Sequence, residues 1–274
     1  MPKVLSPAQI EGFWKDGYVA PIRAISTEQA ASIRAKLEAF ERTIGGPLSG
    51  SLRGRSHLLF TWLSDLIREE RIVDAIEDLY GENILCWASS FFIKEAEDPS
   101  FVSWHQDSTY WGLSSPDVVT AWVALSESNK ANGALEVVPG THLQDQIPHR
   151  DTFSKNNMLT RGQEVAVEVD PKMAVMLELE PGEMSLHHVR LIHGSAPNPS
   201  KRRRIGFAIR YMPTSVRQVE GEDSASLVRG VDTYRTFEHE PIPSRDMDPV
   251  AVEFHRKQHE RSVKILYKGV KVPA

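Results

Sequence analysis

Apolar positions recur at helical spacing through the first eighty residues and in short β-type runs after that. Ser6 and Gln9 have the spacing of a capping box, Pro7 suits the first helical position, and Ile10, Phe13 and Trp14 share one face before Gly17 ends the pattern. Ser26 and Gln29 repeat the signal ahead of Ala30, Ile33, Leu37 and Phe40, and Gly45-Gly46-Pro47 breaks it. A third helix is predicted over Asp65 to Tyr80, with Ile67, Ile72, Ala75, Ile76 and Leu79 as its stripe. From Ile84 the character changes. Phe91–Lys94, Val118–Leu125, Leu135–Val138, Val165–Val169 and Ile205–Tyr211 are rich in β-branched and aromatic residues, punctuated at Asn132-Gly133, Pro139-Gly140 and Pro181-Gly182. Glu238 to Arg245 reads as a loop. Pro249 to Leu266 reads as a C-terminal helix whose His255 and His259, four apart, belong to a solvated amphipathic surface. Helices first and short strands later predict an α+β, mainly β chain: a double-sheet jelly roll with N-terminal packing helices. One domain over 1–274 is expected, with a helical N-terminal region (1–83), a β core (84–215) and a C-terminal extension (216–274).

Composition narrows the class. At 41% hydrophobic and 25% charged the chain is ordinary globular protein. The net charge of −5 opposes general nucleic-acid affinity, which needs a surplus of Lys and Arg. A single cysteine, Cys86, cannot form an intramolecular disulfide, and its apolar neighbours suggest a buried, inert thiol. The first residues lack the apolar run of a secretory leader, and no apolar run approaches the roughly 20 residues of a membrane span. A cytoplasmic protein acting on a small molecule, as monomer or homodimer and without nucleic acid or membrane partners, is expected.

The chemistry concentrates in two segments. In Ser103-Trp104-His105-Gln106-Asp107-Ser108-Thr109-Tyr110-Trp111 an imidazole and a carboxylate stand at i, i+2 among large aromatics. Alternate residues of an extended segment point the same way, so His105 and Asp107 can share one metal. Two imidazoles and one carboxylate on a single face, with the opposite face open, form the ligand set of non-haem Fe(II) oxygenases. The third ligand must come from elsewhere, and His187, His188 and His193 all lie in one stretch. Arg204 opens the strand-like run after Lys201-Arg202-Arg203, where a guanidinium can make a bidentate pair with a buried carboxylate.

The order Trp104-His105-Gln106-Asp107, Asn132-Gly133-Ala134-Leu135-Glu136-Val137-Val138-Pro139-Gly140-Thr141-His142, His193-Gly194-Ser195 and Arg204 resembles the phytanoyl-CoA dioxygenase family of Fe(II)/2-oxoglutarate-dependent oxygenases over roughly residues 5–215. The resemblance implies a double-stranded β-helix, or cupin-like jelly roll. It implies His105, Asp107 and His193 as the iron ligands, Arg204 for the distal carboxylate of 2-oxoglutarate, and Ser195, Trp122 and Ser90 near that cosubstrate. Fe(II), 2-oxoglutarate and O2 follow as cofactor and cosubstrates, with succinate and CO2 as products. Asp107 is the ligand that related halogenating enzymes replace by a small residue, so its presence favours hydroxylation. Desaturation or cyclisation by the same oxidant is the alternative outcome, and a non-catalytic metal-binding sensor is a third reading.

For the substrate, Tyr110 and Trp111 adjoin the metal motif, while Lys94 and Arg210 supply cations that can pair with an anionic group. Such a mixture suits a small zwitterion, an amino acid or an aminoalkylphosphonate, oxidised at an unactivated C–H. Arg161 reads as belonging to a lid-like loop, solvated.

Overall fold

The computed structural model describes residues 2–268 and 270. Helix α1 (Pro7–Asp16) starts at the Ser6/Gln9 capping box and stops where Gly17 turns left-handed. Strand β1 (Tyr18–Arg23) follows, then α2 (Thr27–Ile44), capped by Ser26 and Gln29 as its sequence predicts.

The third predicted helix is two, α3 (Thr61–Leu66) and α4 (Glu70–Tyr80). Arg68 folds back and donates to the Ser64 carbonyl at 2.8 Å, satisfying an end that a continuous helix would not have. The apolar stripe is nevertheless buried on both sides of the break, at Ile67, Ile72, Ala75, Ile76 and Leu79.

The strands are β2 (Ile84–Lys94), β3 (Val102–His105), β4 (Val119–Ala124), β5 (Leu135–Val137), β6 (His149–Asp151), β7 (Gln163–Val165), β8 (Val175–Leu177), β9 (Glu183–His188), β10 (His193–Ser195), β11 (Arg204–Pro213), β12 (Ser224–Arg229) and β13 (Glu238–His239). Helix α5 (Pro249–Leu266) closes the described chain at the predicted bounds. A seven-stranded sheet runs β1-β9-β4-β11-β2-β12-β13, a four-stranded sheet runs β3-β10-β5-β8, and β6 and β7 form a separate pair. Only the short β12–β13 pairing is parallel among them. The strand predicted over Val165–Val169 is displaced: β7 ends at Val165, where pairing with β6 ends. Two segments beyond 215 also differ from expectation. Strand β12 pairs with β2, so the extension completes the large sheet, and the loop at 238–245 begins with the two residues of β13.

Alternation on β11 organises the molecule. Ile205, Phe207, Ile209 and Tyr211 enter the main core with Phe13, Leu37, Leu63 and Ile76 of the helices. The intervening Arg204, Ala208 and Arg210 face the other way, into a narrow pocket also lined by His105, Leu135, His193 and Ser195 of the small sheet. These side chains thus sit between two sheets, the larger of which carries the helices on its other face, a mainly β architecture with N-terminal packing helices. No helix among the described residues is long and apolar enough to cross a membrane.

Candidate metal centre and its two cavities

His105 ends β3 and His193 begins β10, and the two are direct partners in the antiparallel ladder. Asp107 follows two residues after His105, at the start of a single 3-10 turn fixed by its backbone N–H donating to Val189 O at 2.9 Å. His105 Nε2 lies 3.3 Å from Asp107 Oδ1, and His193 Nε2 lies 4.0 Å from the same oxygen. One ligand atom from each residue falls within 4.8 Å of the others.

Tautomers are set from behind. His105 Nδ1 donates to Ser103 O at 2.9 Å, and His193 Nδ1 donates to Leu191 O at 2.9 Å, leaving each Nε2 lone pair facing the centre. Burial drives His193 well below the ordinary imidazole range, so it stays neutral. Burial alone would raise the Asp107 carboxyl, but the His105 ring beside it and the nearby Arg210 guanidinium hold it below the usual carboxylate range. Two imidazoles presenting Nε2 and an ionised carboxylate, all nearly inaccessible, are a donor set that suits a divalent metal.

The choice among three histidines is a matter of strand geometry. His188 turns out of the pocket, packing against Phe13 and His142. His187 does reach the same pocket, its ring 4.8 Å from that of His193, with its Nδ1 lacking a partner among the described residues. Burial lowers it to about 4, so it is a neutral neighbour of the centre.

At the other end of this pocket stands Arg204, 2% exposed. Its Nη1 donates to Gly133 O, its Nε has no partner among the described residues, and burial lowers it to about 10. Gly133, with φ +73°, backs onto Ala196 O and Pro197 O so closely that a side chain could not fit, which explains the Asn-Gly motif. Trp122 lies near the guanidinium at 5.3 Å from its ring centroid, over Gly206, where any Cβ would overlap the indole. Ser195 lines the pocket with them. An orphaned buried cation framed by an indole and a hydroxyl fits the carboxylate of an acidic cosubstrate.

Three residues expected near cosubstrate or substrate need revised positions. Lys94 faces Arg204 directly in the β2–β11 register and donates to Ser195 Oγ at 2.7 Å and to the Ala196 carbonyl, at the Arg204 end of the pocket and away from Tyr110 and Trp111. Ser90 does not line the narrow pocket; it lines an adjoining cavity of about 360 Å³ with Trp87, Trp111 and Arg210. Tyr110 lines neither, because the Arg161 guanidinium stacks on its ring at 3.5 Å. Arg161 itself is buried and paired with Asp151, not solvated. Trp111 and Arg210 do meet in the larger cavity, where Arg210 and Asp107 belong to both spaces.

Across that cavity stand Met158, Leu159 and Thr160 of the predicted lid segment, and His259, Ser262 and Ile265 of α5. The solvated reading of α5 therefore fails on one side: His255 is buried with Nε2 2.8 Å from Gly54 O, and His259 lines the cavity. Thr120, Phe92 and His187 are further pocket residues that spacing does not reveal. A glycine inside a β-type run, Gly206, was the available sign of a close approach on β11.

A family model described as Phytanoyl-CoA dioxygenase (PhyH) matches residues 2–206. The chain belongs to this family. A probable alpha-ketoglutarate-dependent hypophosphite dioxygenase of Stutzerimonas stutzeri is 34% identical over 157 residues, 57% of this chain and 54% of that protein. The chain spans about half the length of the first curated relatives it matches. Among solved structures, the non-heme monooxygenase ThoJ in its apo form is 32% identical with a TM-score of 0.85, covering 95% of this chain and 98% of its own. CytC3 with Fe(II) and alpha-ketoglutarate is 26% identical with a TM-score of 0.66, covering 89% and 96%. The PhyH match ends at Ile205-Gly206, so Arg210, β12 and α5 lie outside it.

Proposed function

We propose that this PhyH protein is a 2-oxoglutarate-dependent non-haem iron dioxygenase that hydroxylates an unactivated C–H bond of a small molecule, releasing succinate and CO2. The single observation that carries this reading is the alignment of three features in one buried row. These are the His105/Asp107/His193 donor set, the intersheet pocket beside it, and the orphaned Arg204 at the pocket's end.

Fe(II) and 2-oxoglutarate, when bound, supply the oxidising chemistry, and the chain supplies orientation and exclusion of water. His105, Asp107 and His193 hold the metal, each fixed by the backbone contacts described above. Arg204 takes the distal carboxylate of the cosubstrate, with Lys94, Ser195 and Trp122 around it. Substrate occupies the larger cavity, which reaches the metal through the edge formed by Asp107 and Arg210. Besides the relative named for hypophosphite, one named ectoine dioxygenase is 28% identical over 156 residues, and a cavity of about 360 Å³ lies in the range of small-molecule sites. Its aromatic and cationic lining suits an amino acid or an aminoalkylphosphonate.

The test is anaerobic addition of Fe(II) and 2-oxoglutarate, followed through the weak visible charge-transfer band of the chelate. The band is expected in the natural protein, lost in His193→Ala, and shifted to much higher 2-oxoglutarate concentration in Arg204→Ala, because a buried carboxylate then lacks its cation. Iron binding without a band would remove the protein from this chemistry.

A further inference from the structure

Arg210 is 8% exposed, yet among the described residues it makes no hydrogen bond and no ion pair, and its Nε is buried without a partner. Its guanidinium lies between two aromatic rings, 5.8 Å from the centroid of Phe92 and 5.6 Å from that of Trp111. Two other buried arginines of this protein are committed: Arg55 pairs with Asp223 at 2.7 Å and with Glu240 at 2.6 Å, and Arg161 pairs with Asp151 at 2.9 Å. An arginine retained for packing is expected to find carbonyls or carboxylates as these do, because an unpaired buried charge is costly.

Arg210 and Arg204 lie on the same face of β11, six residues or roughly 20 Å of strand apart, with the metal ligands lining the pocket between them. Charge matching then isolates Arg210. Fe(II) and the 2-oxoglutarate dianion add no net charge together. Asp107 and one cosubstrate carboxylate answer the metal, and the distal carboxylate answers Arg204. Arg210 is left unmatched at the edge shared by the two cavities.

We infer that Arg210 is the receptor for an anionic group on the substrate, so that the substrate class is a small organic acid whose charged group seats beside the metal ligands and whose body lies along Trp111 and Trp87. The inference rests on the dioxygenase reading and deepens it. Trp87 and Trp111 form a continuous aromatic wall, their rings 4.8 Å apart. An ammonium group meets no comparable receptor. The carboxylates lining the cavity among the described residues are Asp107, a metal ligand, and Asp223. Asp223 already accepts from Arg55 at 2.7 Å, Trp87 Nε1 at 2.6 Å, Ser224 N at 2.9 Å and Gln258. The acidic half of an amino acid or phosphonate is therefore what the site reads.

The experiment uses the full chain with Fe(II) and saturating 2-oxoglutarate under anaerobic conditions. Phenylacetate, phenylmethanesulfonate, 2-phenylethanol and 2-phenylethylamine are titrated by calorimetry while the charge-transfer band is recorded. The two acids are expected to bind at least about 30-fold more tightly than the alcohol and the amine, with the band retained. In Arg210→Gln that preference disappears; in Arg210→Lys most of it remains. Equal or undetectable binding of the acids by the natural protein overturns the inference without needing a variant. So does a preference that survives in Arg210→Gln. Loss of 2-oxoglutarate affinity in that variant with acid binding unchanged would assign Arg210 to the cosubstrate and also overturn it. A natural protein without the band would instead refute the dioxygenase reading, while its calorimetric preference would still decide the anion receptor.

Discussion

Lys94 and Arg204 stand opposite one another across β2 and β11, two basic side chains in register at the end of one buried pocket. Burial, with the Arg204 charge adding to it, lowers the Lys94 ammonium to about 6. Its three acceptors, Ser195 O, Ser195 Oγ and Ala196 O, are all neutral. A free lysine titrates near 10.4. Between about pH 6 and 10, therefore, the unfolded chain holds a proton that the folded chain lacks, and the stability of the cosubstrate-free protein rises with pH. The slope from this group is at most about 1.4 kcal/mol per pH unit, and it vanishes below about pH 6, where both states are protonated. Denaturant unfolding at pH 6.5 and 8.5 checks this: the gain with pH is expected to be smaller in Lys94→Met. Identical gains in both proteins would mean that Lys94 keeps its proton.

The metal set makes a separate prediction. His105→Ala and Asp107→Ala each remove one of three ligands while leaving the strand pairing of β3 and β10 in place. Iron affinity and succinate release are expected to fall to background with an unchanged circular dichroism spectrum. Succinate production at the natural rate in either variant would sink the triad.

Gly206 is a steric prediction. A methyl group there overlaps the Trp122 indole, which has the strand on one side and the Arg204 guanidinium nearby. Gly206→Ala is expected to cost about 1–3 kcal/mol, as overpacking does, and to lower Tm by several degrees. Because Trp122 frames the Arg204 end, the 2-oxoglutarate requirement should rise as well. A variant with unchanged Tm would show that the indole has somewhere else to go.

Arg161 fastens the segment that walls the larger cavity. It stacks on Tyr110, pairs with Asp151 and donates to Leu266 O at 3.1 Å, while Tyr267 OH donates to Thr160 O at 2.9 Å. Arg161→Ala leaves Asp151 without its partner and frees the 153–162 segment from α5. Limited proteolysis should cut that segment several-fold faster, with global unfolding little changed. Equal cleavage rates would place the restraint in the Tyr267 contact instead.

Legibility followed the range of the interactions. The two capping boxes, Gly17 and the bounds of α5 were readable because helix ends are fixed by residues three or four apart. The α3–α4 break was not, since it depends on Arg68 returning to Ser64 while the apolar stripe continues through it. The strands β3, β8 and β10, three or four residues each, carry too little pattern to announce themselves. Lys94 was given a role by its charge, Tyr110 by nearness to the metal motif and Ser90 by the family resemblance. The direction of each side chain, toward Ser195, under Arg161 or into the larger cavity, is set by strands and loops that sequence nearness does not specify.

The sequence by itself determined the metal-ligand types, the spacing of His105 and Asp107, the cation at Arg204 and the mainly β class, because these rest on local chemistry and on period-two alternation. Spacing left three histidines open and the family resemblance pointed to His193; the tertiary structure supplies the physical reason, because β10 pairs with β3 at His193 whereas His188 faces α1. It alone placed Lys94 beside Arg204 and brought α5 over a cavity whose Trp87, Ser90 and Trp111 lie more than a hundred residues away in sequence. It also left Arg210 without a hydrogen-bond or ion-pair partner among the described residues. Whether a buried charge is answered depends on every chain segment that packs around it, and no local stretch of sequence carries that information.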